Sequence, residues 1–267
     1  MDYSHCKALK IEVEDGVATL TINRPDARNA IDRDVHDELD DIWLELAADE
    51  DIKVIILTGA GAAFSAGGDL KRLAERAGTE AGQQFLLGLP GHGRRLLNNI
   101  LEVQKPIIAA INGDAIGLGA TLALYCDITV MSKEARIGDP HVRVGVSAGD
   151  GGSVIWPLLV GPARAKEYLM LGLLATGEEA ERINLVNHAV APEEVMPKAL
   201  ELARKLVELP PWAVRYTKAT INMAIRTLFA QSMDASLAYE ALTMGTTDFG
   251  EGTKAFLERR KPKFTGR

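Results

Sequence analysis

A chain of 267 residues is long enough for a substantial core, and 47% hydrophobic with 25% charged residues is ordinary globular composition. The formal net charge of −7 argues against a general binder of nucleic acid or anionic membranes, since both need a basic surface. Cys6 and Cys126 stand far apart without a CxxC or Cys/His cluster, which excludes a disulfide framework or a zinc site and makes a reducing cytoplasm the expected compartment.

Residues 1–10 carry no apolar signal region and read as mature sequence. Residues 8–23 alternate as two strands about Asp15-Gly16, a two-residue hairpin turn, and Asn23-Arg24-Pro25 breaks the pairing. Asp32 is a candidate N-cap for a helix in which Val35, Leu39, Ile42 and Leu46 recur at helical spacing. Residues 54–58 form a short apolar strand, followed by a glycine- and alanine-rich loop through Gly68, with Asp69 placed to cap the next helix. Residues 78–82 read as a mobile surface loop, and a further helix runs to about Leu101.

The apolar stretch 106–131 is long enough to raise the question of a membrane span. Asn112, Asp114, Thr121, Asp127 and interspersed glycines puncture it, so it reads as a buried strand (106–111), a glycine turn and a buried helix. Residues 128–131 and 135–137 add short strands. Strands alternating with helices over roughly the first 190 residues predict an α/β fold with buried, largely parallel strands. After residue 191 the chain reads as helices only, over 192–209, 211 to about 230, and two more amphipathic segments. We therefore expect a core with the active site over residues 1–191 and a helical oligomerisation or lid region over 192–267.

Two glycine-rich segments each follow a buried strand and precede a helix, residues 63–69 (Ala-Phe-Ser-Ala-Gly-Gly-Asp) and 112–120 (Asn-Gly-Asp-Ala-Ile-Gly-Leu-Gly-Ala). Neither has the third glycine of a dinucleotide fingerprint, and no P-loop lysine follows. Such loops serve as tight strand-to-helix turns, or they aim paired backbone N–H groups at one point and stabilise a developing oxyanion. Ser65 lacks the GxSxG elbow of a serine hydrolase. His5, His36, His92 and His188 are scattered and ask for no function.

These loops, with Asn23-Arg24-Pro25, Arg28-Asn29-Ala30, residues 106–113, Cys126-Asp127-Ile128 and residues 149–152, 176–180 and 251–256, resemble the enoyl-CoA hydratase/isomerase (crotonase) family. The matches run in order over nearly the whole chain. The resemblance implies an α/β fold, a crotonase-like spiral of ββα units with a C-terminal helical oligomerisation domain, assembled as a homotrimer or a dimer of trimers. It also implies an acyl-CoA substrate and no cofactor beyond the coenzyme A that the substrate carries; no metal is expected. The thioester oxygen would lie between the N–H groups of Ala66 and Leu118. The family usually has glycine at the second position, so Leu118 keeps the N–H but reshapes the acyl pocket. The coenzyme A would lie near Arg28 and Lys71, completed by Phe256 and Arg259 from a neighbouring subunit; these cations read equally as solvated surface charge.

The two glutamates that share the proton work of a family hydratase would fall at Thr121 and His141. Threonine is no base at neutral pH but its hydroxyl can hydrogen-bond a water. Histidine is a suitable substitute base. Asp150, nine residues on, reads either as the carboxylate that orients His141 or as a helix cap. This pair resembles the β-diketone hydrolase branch, which cleaves C–C bonds by a retro-Claisen route. That branch also uses a C-terminal glutamate, which would fall at Glu240, read from sequence as a surface carboxylate, and a histidine where this chain has Leu118. Three functions stay open: an enolate-forming hydratase or isomerase using His141, a C–C hydrolase using His141 and Asp150, and a non-catalytic acyl-CoA binder.

Overall fold

The structure is a computed structural model that describes residues 1–76 and 78–267. Strands β1 (Leu9–Glu14) and β2 (Val17–Ile22) pair as the expected antiparallel hairpin, with Asp15 and Gly16 both at positive φ. Helix α1 (Arg33–Ala48) starts at Asp32, whose carboxylate accepts from the Val35 N–H at 3.1 Å. Three pairs of strands follow, β3 (Val54–Gly59) with β4 (Ala63–Ser65), β5 (Ile107–Ile111) with β6 (Asp114–Ile116), and β7 (Ile128–Ser132) with β8 (Arg136–Gly138). Helices α2 (Leu70–Arg76) and α3 (Glu80–Glu102) follow the first pair, α4 (Leu118–Leu124) the second, and α5 (Gly152–Val160) with α6 (Pro162–Leu171) the third. This is the ββα repeat expected from the family resemblance. Strand β9 (Leu174–Thr176), helix α7 (Gly177–Arg182) and strand β10 (His188–Val190) close the core, and α8 (Val195–Glu208), α9 (Pro211–Met244) and α10 (Thr247–Leu257) complete the chain.

The first strand of each pair enters a six-stranded sheet in the order β1-β2-β3-β5-β7-β10, and the second enters a four-stranded sheet, β4-β6-β8-β9. Every residue of β3 and β5 is buried because both faces of the large sheet are covered. Ile55, Leu57, Ile107 and Ala109 pack with Leu39 and Trp43 of α1 and Leu96 and Ile100 of α3. Val54, Ile56, Ile108 and Ala110 on the other face pack with Val195, Ala199 and Ala203 of α8. The helices after residue 191 therefore share the core rather than hang beside it, and Phe229, Met233 and Leu237 of α9 join the main cluster.

Two sequence expectations are corrected. Residues 80–82 are not loop, because the Thr79 hydroxyl accepts from the Gly82 N–H at 3.1 Å and starts α3 there. Residues 211–244 form one helix of 34 residues rather than a helix to about residue 230 and a second segment. Among the described residues, no helix is long and apolar enough to cross a membrane.

Asn29 fastens the chain before α1 to the loop between β3 and β4. Its side chain is fully buried, donates to the carbonyls of Ala60 and Ala63 at 2.8 Å each, and accepts from the Arg24 N–H at 2.9 Å. Asn29→Asp turns two donors into a carboxylate facing two carbonyls. We expect it to destabilise the protein by about 2–4 kcal/mol, more than Asn29→Ala, in urea unfolding at neutral pH. Equal stability of Asn29→Asp and wild type would refute this anchoring role.

Candidate active site

The site forms where β4, β6 and β8 end side by side. Parallel pairing sets Ala63 opposite Asp114, Ala115 opposite Ile137 and Ile116 opposite Gly138. Beyond β6, the Gly117 N–H donates to the Gly138 carbonyl at 2.9 Å. Gly117 has a φ of 55°, and a Cβ there would lie 3.3 Å from the His141 ring. The imidazole thus lies across the backbone that leads to the Leu118 N–H.

Two open backbone donors reach the cavity. Leu118 is the first residue of α4, whose leading N–H groups have no partner within the helix. At the β4 loop, the expectation for Ala66 is overturned, because its N–H donates to the Arg28 carbonyl at 3.0 Å. The Gly67 carbonyl accepts from the Ile31 N–H at 2.8 Å, so the trans peptide turns the Gly68 N–H the opposite way. Gly68 and Leu118 both line a cavity of about 430 Å³, with His141, Asp150 and Glu240 on its wall. Ser65 is structural, its buried hydroxyl donating to the Asn29 carbonyl at 2.8 Å and accepting from the Gly67 N–H at 3.2 Å. Asp69 accepts from the Arg72 N–H at 3.2 Å, as a cap of α2 does.

His141 Nδ1 is hydrogen-bonded to Asp139 Oδ1, a partner absent from the sequence reading. The signal was present. An aspartate two residues ahead, followed by proline, makes an Asx-type turn, and Asp139 also accepts from the His141 N–H at 3.3 Å. Asp150 stands at the other ring nitrogen, with Oδ2 3.7 Å from Nε2, and accepts from the Thr121 hydroxyl at 3.2 Å. Asp139, rather than Asp150, orients the ring. Thr121 is fully buried and holds Asp150 in place. The helix cap read for Asp150 is not formed, since Gly151 is the N-cap of α5 with no side-chain cap.

Glu240 is also corrected. It is 3% exposed, sits on α9 against Gly149, and its Oε2 has no hydrogen-bond partner among the described residues. A Cβ at Gly149 would come 2.8 Å from that oxygen, so glycine is what admits the carboxyl. Burial, reinforced by Asp150, pushes the Glu240 carboxyl well above its ordinary range, and burial likewise raises Asp150. Burial would lower His141, but Asp139, Asp150 and Glu240 together outweigh it and hold the imidazole well above its usual value. The shifts run in opposite senses, favouring the charged form of His141 and the neutral form of Glu240. Asp139, His141 and Asp150 place metal-ligand-type atoms within 4.8 Å of one another, yet Asp139 and His141 already satisfy each other. The set reads as proton-handling.

The expected coenzyme A contacts lie off the cavity wall. Arg28 is exposed, with its guanidinium 3.5 Å from Asp114, and Lys71, Phe256 and Arg259 are exposed. His36 and His92, read from sequence as idle, both line the cavity.

Glu240 yields a pH test. Its folded pKa lies above the unfolded value near 4.5, so its contribution to stability is fully present below about that pH and is lost as pH rises through the folded value. Glu240→Gln removes this slope. The melting temperature of the variant, relative to wild type, should therefore climb as pH rises above 4.5 and level off once the folded-state carboxyl has ionised. A constant difference across that window would mean that Glu240 is already ionised in the fold.

Comparison with known proteins agrees with this architecture. The sequence model of the enoyl-CoA hydratase/isomerase family matches residues 12–267. A crotonyl-CoA hydratase from Syntrophomonas wolfei is 36% identical over 255 residues, spanning 95% of this chain and 96% of that protein. A 1,2-epoxyphenylacetyl-CoA isomerase from Escherichia coli is 33% identical over 257 residues, spanning 96% and 97%. The crystal structure of an enoyl-CoA hydratase/isomerase from Mycobacterium paratuberculosis superimposes with a TM-score of 0.87 at 33% identity, covering 92% of this chain and 97% of that one.

Proposed function

The chain belongs to the enoyl-CoA hydratase/isomerase family, and on that premise we propose that it adds water reversibly to an enoyl-CoA thioester, with His141 and Asp150 as the two proton carriers. The observation that carries this reading is the 3.7 Å separation of His141 Nε2 and Asp150 Oδ2 while Asp139 holds Nδ1. Two acid–base groups then face one space, which is what hydration and dehydration require.

In the dehydrating direction, the Asp150 carboxylate removes the proton from the carbon next to the thioester. The electrons move onto the carbonyl oxygen, which accepts from the Gly68 and Leu118 N–H groups. The His141 imidazolium then protonates the β-hydroxyl, which departs as water. Hydration is the reverse: neutral His141 takes a proton from water as its oxygen bonds to the β-carbon, and protonated Asp150 delivers a proton to the α-carbon. These two residues replace the family's glutamates at Thr121 and His141. Exposed Arg28 and Lys71 remain the cations proposed to meet the coenzyme A phosphates, with Phe256 and Arg259 of a neighbouring subunit. Exposed Trp212, Tyr216, Ile221 and Met223 on α9 support an oligomer, proposed as a homotrimer or dimer of trimers.

A second reading is favoured by Glu240. Its burial beside His141 and Asp150 assembles the three residues of a retro-Claisen C–C hydrolase on one wall. Product analysis with crotonyl-CoA, longer trans-2-enoyl-CoA esters and a cyclic β-diketone separates the two. We expect hydration of the thioesters and a loss of about 10²–10⁴-fold in His141→Ala. Consumption of the diketone alone would select C–C hydrolysis, and full activity in His141→Ala would remove the histidine from the chemistry.

A further inference from the structure

The cavity carries a second histidine–aspartate pair that the proposed reaction does not use. His36 of α1 lines it, and its Nδ1 lies 3.6 Å from Oδ1 of Asp40, one helical turn on. Asp40 is 1% exposed; its Oδ2 pairs with Arg95 at 3.1 Å, while its Oδ1 has no hydrogen-bond partner among the described residues. His92 of α3 also lines the cavity and meets the His36 ring edge-on, with centroids 6.4 Å apart. Burial and the nearby His92 and Arg95 keep the His36 imidazole below its ordinary value, although Asp37 opposes them. Nδ1 faces Asp40 without reaching hydrogen-bond distance, and a neutral ring with its proton on Nδ1 would offer Nε2 as an acceptor.

His36 lies in the first turn of α1, beyond the N-cap Asp32, and Ile31 ahead of that cap bridges to Gly68. A cavity of about 430 Å³ also exceeds what a four-carbon acyl group fills, since a water-sized group takes roughly 30 Å³. The cavity lining mixes apolar side chains, among them Leu73, Phe85, Leu89 and Leu237, with charged ones such as Asp37, Arg72 and Arg76.

We propose that His36, backed by Asp40 and braced by His92, is a specificity-determining residue that accepts a hydrogen bond from a hydroxyl on the distal part of the acyl group. The substrate class is thus an acyl-CoA with an apolar middle and a terminal alcohol or phenol. This rests on the acyl-CoA reading above but not on which reaction follows.

The test is binding, which needs no turnover. Titration calorimetry compares 3-(4-hydroxyphenyl)propanoyl-CoA with 3-phenylpropanoyl-CoA, two saturated thioesters that differ by one hydroxyl. The wild-type protein should bind the hydroxylated ester at least about tenfold more tightly, and the ratio should fall to near one in His36→Leu. Equal binding of both esters by the wild type, or an unchanged ratio in His36→Leu, would overturn the proposal while leaving the acyl-CoA reading intact. Binding of neither ester would sink both. Where His36→Leu folds poorly, His36→Gln serves as the second variant, and an unchanged ratio in it overturns the proposal equally.

Discussion

The whole candidate site depends on the register of three short parallel strands. β4, β6 and β8 deliver Gly68, Leu118 and His141 to one place, and each lies only a few residues beyond its strand. Successive strand residues face opposite ways, so a one-residue slip between β6 and β8 would turn the His141 segment away from the Leu118 N–H. The Gly117 to Gly138 hydrogen bond carries the ladder past the strand ends, and Asn29 holds the neighbouring loop against β3 and β4. Geometry that catalysis needs to within fractions of an ångström is thereby set by backbone pairing rather than by mobile side chains.

Onto this frame the protein places three acids around one imidazole. Asp139 is 1% exposed, Asp150 8% and Glu240 3%, so bulk water screens none of them well. Negative charge crowded into one buried cluster favours the protonated forms, so the environment raises both His141 and Glu240. The unpartnered oxygens of Asp139 and Glu240 mark where stability is given up. Glu240 lines the cavity, whereas the free oxygen of Asp139 lies against Gly152 of α5.

Much of this was legible in the sequence, and the remainder was hidden for definite physical reasons. The hairpin, the Asp32 cap and the buried strands follow from local turn chemistry and apolar runs. His141 and Asp150 stood out because their residue types replace what the family pattern leads one to expect. The strands β4, β6, β9 and β10 span three residues each, too few to show a period. Ala66 lies two residues from the open donor, and only the pairing with Ile31 decides which N–H groups are spent. Glu240 was unreadable because its α9 neighbours Tyr239 and Leu242 are exposed, and its burial comes from Gly149, ninety-one positions earlier. His36 and His92, fifty-six positions apart, become neighbours only when α1 packs on α3.

The 34-residue helix α9 spans about 51 Å and carries Glu240 near its far end. A chain made from its N-terminus has His141 and Asp150 once little more than half of it is synthesised, but closes the wall around them only when nearly all of it is present. The same helix supplies Phe229, Met233 and Leu237 to the main apolar cluster, so completing the core and completing the site are one long-range event.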